Sequence, residues 1–337
     1  MPTRDIIVIG ASAGGVHALK ELMQALPEDF NAAVFVVLHV APHAPSHLPK
    51  ILTSVGGMKA VHPRDGESFE AGRIYVAPPD HHLLLEEGRV LVKKGPKENR
   101  FRPSIDALLR SAAYNYGPRV IGVVLTGLLD DGTSGMWSVK RFDGLSVIQE
   151  PADALYPSMP TSVLEYVDVD YRLPLAELGP LLCRLVEETI PEQRPVPAEE
   201  TQQLQTEVKI AAQKNGFDMG IHRMGENSPL TCPECHGALI QLKEGKLIRY
   251  RCHTGHAYTA SSLLAEVTES VEALLWSVIR GLEETVMLLD QTAQTFTDAG
   301  LPDEAAPFLE KARETRERAQ RLHEFTFRQE QFSGESE

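Results

Sequence analysis

The stretch Ile6-Ile7-Val8-Ile9-Gly10-Ala11-Ser12-Ala13-Gly14-Gly15 decides how the rest of this chain is read. Four consecutive apolar residues predict a buried strand, and a helical pattern runs from about Val16 to Leu26 directly behind the glycines. A strand, a glycine-flanked serine and a helix form a nucleophile elbow of the G-x-S-x-G kind. Small neighbours let the backbone turn sharply, lift the Ser12 hydroxyl clear, and leave a helix N-terminus facing any negative charge that develops there. A phosphate-binding turn of the dinucleotide type, and with it an oxidoreductase, is the competing reading. That fingerprint needs glycine where Ser12 stands.

Working outward, apolar runs at 33–38, 73–77, 119–126 and 144–149 alternate with helical patterns near 15–26, 45–54, 103–115 and 133–142. The runs are rich in Val and Ile and lack alternation, as strands covered on both faces do. A hairpin over 82–94 turns at Glu86-Glu87-Gly88-Arg89. The expected fold over residues 1–190 is therefore α/β: a doubly wound, mostly parallel sheet with helices on both faces. Composition shifts at Thr189-Ile190-Pro191, and 191–228 reads as a polar linker with a short helix at 200–213. A small Cys/His segment, zinc-ribbon-like, follows at 229–258, and a helical hairpin at 259–330. In that hairpin Leu264, Val267, Val271, Leu274, Val278, Leu282, Val286 and Leu289 share one face. Phe308, Ala312, Ala319 and Leu322 share another, and the break is expected at Asp298-Ala299-Gly300-Leu301-Pro302.

Composition narrows the function. The 337 residues carry a net charge of −14 with no long basic run, which argues against a nucleic-acid binder. No apolar stretch reaches the length of a membrane span, and residues 6–9 are too few for a signal peptide, so membrane insertion is not expected and the cytoplasm is the expected location.

In open α/β sheets functional groups collect at the carboxyl ends of the strands. The first strand ends at Ser12, and Val34-Phe35-Val36-Val37-Leu38 ends at His39. The run Val120 to Leu125 ends in Thr126-Gly127-Leu128-Leu129-Asp130-Asp131-Gly132. A hydroxyl, a base to take its proton and a carboxylate to orient that base are what serine acyl transfer requires. Spacing does not choose between Asp130 and Asp131, and either also suits a helix N-cap. Asp106 and Asp153 follow strand ends less closely, and His17, His43, His47 and His62 lie where no rule aims them at the site.

Here the residues become recognisable. Residues 5 to about 190 resemble the catalytic domain of the chemotaxis protein-glutamate methylesterase (CheB) family. The resemblance rests on Ile9 to Gly15, Leu38-His39-Val40-Ala41-Pro42, Ile74-Tyr75-Val76-Ala77-Pro78-Pro79-Asp80-His81, Arg102-Pro103-Ser104-Ile105-Asp106, and Val124 through Gly132, in the family's order. It implies Ser12 as nucleophile, His39 as base and Asp131 as the orienting acid. It also implies hydrolysis of glutamyl γ-methyl esters on the cytoplasmic helices of chemoreceptors, with glutamine deamidation by the same chemistry and no catalytic cofactor. Backbone amides at Ala13, Gly14 and Leu128 are the expected oxyanion donors. The family's familiar members carry an N-terminal receiver domain, whereas this chain starts four residues before its first strand, so receiver control is expected either to be absent here or to come from a separate response regulator. Leu38-His39-Val40 stands where many members have Gln-His-Met, and Leu128-Leu129-Asp130 where many have Met-Gly-Asn. A backbone donor at Leu128 survives that change, but a thioether's role does not. The loop Asp153 to Pro160 and Gly135 are expected near the mouth of the site.

Cys232-x2-Cys235-x16-Cys252-x3-His256 has the spacing of a structural zinc site, with His253 and His236 as rival fourth ligands. Cys183 stands apart in an apolar helical stretch and reads as a core residue. Familiar enteric-type members lack the Cys/His segment, so the resemblance assigns it no role. A non-catalytic signalling adaptor, working through this segment and the helices behind it, is the alternative to an esterase.

Overall fold

The computed structural model describes residues 3–190, 194–213 and 216–333, with the side chains of 328–333 excepted. Parts of the expected linker, at 191–193 and 214–215, lie outside the described residues. The chain divides into two compact units, Met1–Leu263 and Leu264–Glu337.

The first unit is built on seven parallel strands. In chain order they are β1 (Ile6–Ala11), β2 (Ala33–Leu38), β3 (Lys59–Val61) and β4 (Arg73–Val76). After the hairpin β5 (His82–Glu86) and β6 (Arg89–Lys93) come β7 (Val120–Val124), β8 (Leu145–Gln149) and β9 (Tyr171–Leu173). The sheet order is β3-β4-β2-β1-β7-β8-β9. β1 sits centrally, with Val8 opposite Phe35 of β2 and Gly122 of β7. Helices α1 (Gly15–Gln24), α2 (Leu48–Val55), α3 (Ile105–Tyr116), α4 (Thr133–Arg141), α5 (Ser158–Tyr166) and α6 (Leu175–Glu187) cover the faces.

Strand alternation divides the core in two. Ile7, Ile9, Val34 and Val36 point to one face, against Leu19, Leu22 and Leu182. Ile6, Val8, Phe35 and Val37 point to the other, against Leu108, Leu109 and Met136. Both faces of β1 are buried throughout, which explains its unbroken apolar sequence. From β1 the chain builds outward through β2 on one side, and β7 lies on the other, so the strand order reverses between β1 and β7.

The stretch expected to be a linker is more than that. Residues Ala198–Ala211 form α7, with Leu204, Glu207 and Ile210 buried. Its alternation of Glu and Gln hid a buried face, because Glu207 is buried as an ion partner. A four-stranded antiparallel sheet follows: β10 (Glu226–Thr231), β11 (Ala238–Glu244), β12 (Leu247–Cys252) and β13 (Ala257–Thr259).

The second unit consists of α8 (Ala260–Asp298) from Leu264 onward and α9 (Pro302–Ser333), joined across Ala299-Gly300-Leu301. The apolar stripe read along α8 divides in the structure. Val286 is buried with Ile279 and Ala293, one every seven residues, as are Ala305, Ala312 and Ala319 of α9. Leu264, Val267, Val271, Leu274 and Val278 instead lie exposed, because the buried seam runs along a neighbouring face of the helix. Among the described residues no helix is long and apolar enough to cross a membrane.

Candidate active site

The site forms where the strand order reverses, at the carboxyl ends of β1, β2 and β7. Ser12 leaves β1 with its amide bonded to the Thr126 carbonyl at 3.0 Å, which ties the elbow to the end of β7. Gly14 takes φ +74 before α1, a conformation that costs other residues about 1–2 kcal/mol. Gly127 lets two backbones close together, since a Cβ there would stand 2.8 Å from Ser12 Cβ and 2.1 Å from Met159 Sδ. His39 follows β2, with its amide bonded to the Ala11 carbonyl at 3.2 Å.

The His39 ring joins the other two groups. Its Nδ1 is 3.1 Å from Ser12 Oγ and its Nε2 is 2.8 Å from Asp131 Oδ2. These partners define the tautomer: Nε2–H donates to the carboxylate and the Nδ1 lone pair faces the hydroxyl. Phe101 stacks on the ring with centroids 3.7 Å apart and planes within 10°. The imidazole thus rests against an aromatic face, and its side chain is only 4 % exposed. Ser12 is partly exposed and opens on a cleft of about 480 Å³ lined also by Val16, His17, Lys20, Leu38 and Val40.

Asp131 receives five hydrogen bonds. Its Oδ2 accepts from His39 and from the Ile105 amide at 2.7 Å. Its Oδ1 accepts from Asn99 Nδ2 at 2.9 Å, Ser104 Oγ at 3.0 Å and the Asp106 amide at 3.2 Å. Burial alone would raise this carboxyl, but the His39 hydrogen bond and charge, with the Asn99 and Ile105 donors, hold it below the usual range. Asp106 lies behind it and caps α4 by accepting from the Gly132 and Gly135 amides. Burial, then the charge of Asp131, pushes Asp106 up to about 8.

The other sequence-level candidates separate cleanly. Asp130 turns away and accepts from Thr259 Oγ1 at 2.8 Å. Asp153 accepts from Gln149 Nε2 and the Leu175 amide, and His62 bonds to the Val76 carbonyl. His17 lines the cleft but is exposed and paired with Glu21. The loop at 153–160 borders the elbow: the Gly127 amide donates to the Tyr156 carbonyl, and the Leu155 side chain lies beside Gly14. Gly135 packs under Leu109 and Asp106, away from the cleft. Among the described residues, the amides of Ala13, Gly14 and Leu128 have no hydrogen-bond partner.

Sequence reasoning missed the turn Glu98-Asn99-Arg100-Phe101. Glu98 and Phe101 exchange backbone hydrogen bonds, and Asn99 and Arg100 take φ +49 and +76. That is a tight reversal usually signalled by Asn-Gly, and Arg100 concealed it. Ser104 and Ile105 sat within a recognised motif, but nothing local marked them as partners of Asp131.

A second cluster lies in the four-stranded sheet. Cys232, Cys235, Cys252 and His256 bring their ligand atoms within 4.8 Å of one another. Cys235 Sγ is 3.6 Å from Cys252 Sγ, and His256 Nδ1 is 3.7 and 3.6 Å from the sulfurs of Cys232 and Cys252. Tetrahedral bonds of zinc length give ligand–ligand edges of about 3.6–3.8 Å, so the donor set fits that ion. His236 and His253, the rival ligands, do not belong to this cluster.

A parallel sheet that brings a serine, a histidine and a carboxylate into one hydrogen-bonded chain at its switch point places them where open α/β folds bind their ligands. The chain matches the CheB methylesterase family over residues 7–182, and it belongs to that family of carboxylic ester hydrolases. It is 37% identical over 182 residues to a Leptospira interrogans protein provisionally named a protein-glutamate methylesterase/protein-glutamine glutaminase, covering 54% of this chain and 94% of that one. A Methanosarcina mazei protein-glutamate methylesterase/protein-glutamine glutaminase is 32% identical over 191 residues, covering 54% of this chain and 52% of its own length. The crystal structure of the Thermotoga maritima CheB methylesterase catalytic domain superposes with a TM-score of 0.52 at 34% identity, covering 55% of this chain and all of that domain.

Proposed function

We propose that this chain is a protein-glutamate methylesterase that hydrolyses glutamyl γ-methyl esters on chemoreceptor helices through Ser12, His39 and Asp131. The observation that carries the reading is the His39 ring, hydrogen-bonded at 3.1 Å to the hydroxyl and at 2.8 Å to the carboxylate. Ser12 Oγ attacks the ester carbonyl while His39 Nδ1 takes its proton. Asp131 holds Nε2–H and stabilises the imidazolium that results. The unpartnered amides at Ala13, Gly14 and Leu128 are the donors for the oxyanion, worth roughly 3–4 kcal/mol each where they reach it. His39 returns the proton to the departing methoxide, and methanol leaves an acyl-enzyme. Water then attacks that ester with the same base assisting, and Ser12 is released. General-base help of this kind contributes on the order of 10²–10⁴ in rate.

The same route, with ammonia leaving, deamidates a receptor glutamine, and the relatives' names join the two activities. No catalytic cofactor is needed in this scheme. The expected partners are receptor helices and a separate response regulator, in the cytoplasm, with no nucleic acid and no membrane insertion. We assign residues 1–190 to catalysis and 229–258 to a zinc-ribbon-like unit, with Cys232, Cys235, Cys252 and His256 as ligands of a structural zinc. Bound zinc contributes on the order of 10 kcal/mol to folding a unit this small.

The test is release of methanol from methylated receptor, together with labelling by a fluorophosphonate. Wild-type protein is expected to do both and Ser12→Ala neither, with an unchanged melting profile. Turnover by Ser12→Ala would end the proposal. Elemental analysis of untagged protein tests the metal, and less than about one zinc per four chains rejects it.

A further inference from the structure

The Cys/His sheet does not stand apart from the candidate active site, and the turn at 98–101 joins them. Cys252 and His256 close the reversal between β12 and β13. Strand alternation makes β12 two-sided: Cys252 faces the metal cluster, while Arg249 and Arg251 are buried against Glu98 and Glu207. On the other arm, immediately after His256, the Ala257 carbonyl accepts the Asn99 amide at 2.8 Å and the Ala257 amide donates to the Lys97 carbonyl at 3.3 Å. Two residues on, the Thr259 amide donates to Asn99 Oδ1 at 3.0 Å, with Ser262 Oγ donating at 3.2 Å. Lys97 is further paired with Glu234, which stands between Cys232 and Cys235.

Asn99 is satisfied from two directions. Among the described residues its oxygen accepts only from 259 and 262, while its NH₂ group donates to Asp106 Oδ2 at 2.7 Å and Asp131 Oδ1 at 2.9 Å. Rotating the amide by half a turn would set a donor against the Thr259 amide on one side and an acceptor against the Asp131 carboxylate on the other. The side chain therefore has a single orientation, defined on one side by Asp131 and on the other by Thr259. Two residues later, at the end of the same turn, Phe101 stacks on His39.

We propose that Asn99 is a positioning residue for Asp131 and His39, and that the metal-tied hairpin 252–259 holds it there. This rests on the reading of Ser12, His39 and Asp131 as the catalytic set. On the metal side the hairpin has only a small core, Cys232, Leu239, Cys252, Tyr258 and Leu263, so the ion is the main tie between its arms there, beside the Arg251–Gly255 hydrogen bond and the β12–β13 pairing. Losing the ion frees Ala257 and Thr259, lets the turn at Asn99–Arg100 relax from its left-handed conformation, withdraws a donor from Asp131 and takes Phe101 off the imidazole.

The experiment uses the full chain with ¹⁵N-labelled histidine, the His39 signals being assigned by their absence in His39→Gln. The spectrum reports which ring nitrogen carries the proton, whether or not any substrate turns over. Zinc-loaded wild type is expected to hold a single Nε2–H tautomer. Chelation is expected to mix the tautomers and lower kcat by on the order of 10²-fold, and added zinc to restore both. Asn99→Ala, which touches no ligand, is expected to keep its zinc yet show the mixed tautomers, and chelating it is expected to lower kcat no further. Where chelated protein unfolds, Asn99→Ala decides alone. A single tautomer and full kcat in Asn99→Ala, or in folded zinc-free protein, overturns the proposal. Absence of turnover in zinc-loaded wild type, with the tautomer responding as described, rejects the esterase reading and leaves the positioning role standing.

Discussion

Asp130 and Asp131 are neighbours in the chain and enter different networks. Asp131 is bonded to the His39 ring at 2.8 Å, and Asp130 to the Thr259 hydroxyl at 2.8 Å. Both are buried, yet burial leaves Asp130 raised, while donors from His39, from the turn at Asn99 and from the start of α3 hold Asp131 low. One of the two meets the imidazole, and the other ties Thr259, at the end of β13, to the loop that follows β7.

The pair can be separated by substitution. Asp131→Asn sets an amide against Nε2 and disfavours the required tautomer, so ester turnover is expected to fall by on the order of 10⁴. Asp130→Asn still accepts from Thr259, and its turnover is expected to stay within about threefold of wild type, with a stability loss of about 1 kcal/mol. Steady-state methanol release and thermal melts check both.

Gly127 is the residue on which the elbow closes. Gly127→Ala forces its Cβ into Met159 Sδ and Ser12 Cβ, so either the 153–160 loop or Ser12 must shift. Overpacking of this kind costs about 1–3 kcal/mol. The expected outcome is a lower melting temperature together with loss of fluorophosphonate labelling. Normal labelling at wild-type stability would show that the two backbones have room to part.

Three arginines and three carboxylates are buried together where α3 meets the Cys/His sheet. Arg110 pairs with Glu98 and Glu207, Arg249 with Glu207 and Glu244, and Arg251 with Glu98 and Glu207. Glu207 sits at the centre, its carboxyl held well below the usual range by the three guanidinium groups despite its burial. Glu207→Gln leaves three buried cations facing two anions and is expected to destabilise the first unit by roughly 3–5 kcal/mol. Chemical denaturation followed at Trp137 measures it.

Acid stability has a local component at Asp80. Burial pushes this carboxyl up, but hydrogen bonds from Lys94 and Arg102 prevail and bring it down to about 2. A lowered folded value means a contribution present in full above the unfolded range and lost as pH falls through the folded one. The stability difference between wild type and Asp80→Asn is therefore expected to be constant above about pH 5 and to shrink towards zero by about pH 2. Urea midpoints at several pH values test this, and a difference that persists at the acid end contradicts it. Arg102 also donates to the Gly95 carbonyl, so Asp80 braces the segment leading to Ser104 and Ile105.

Much of the fold could be read along the chain because parallel strands buried on both faces leave long apolar runs. β1, β2, β4, β7 and β8, and the hairpin of β5 and β6, all announced themselves in this way. β3 and β9 are three residues each and half exposed, too short for any periodicity, and α5 begins in a proline-flanked loop that masks it. In α8 the exposed stripe from Leu264 to Val278 keeps the spacing of a buried one, so pattern alone misassigned which face packs on α9.

Ser12, His39, the adjacent pair Asp130 and Asp131, and the Cys/His spacing were legible along the chain, because strand ends and short ligand spacings are local properties. So was the sheet, since its pattern of burial is written residue by residue. Which of two adjacent aspartates meets the imidazole, that Phe101 covers it, and that Asn99 spans the distance between Asp131 and Thr259 arise from long-range folding alone. Those contacts join residues up to 160 positions apart. Each depends on the direction in which a buried polar group must turn to find its partner, and that direction exists only once the chain has closed around it.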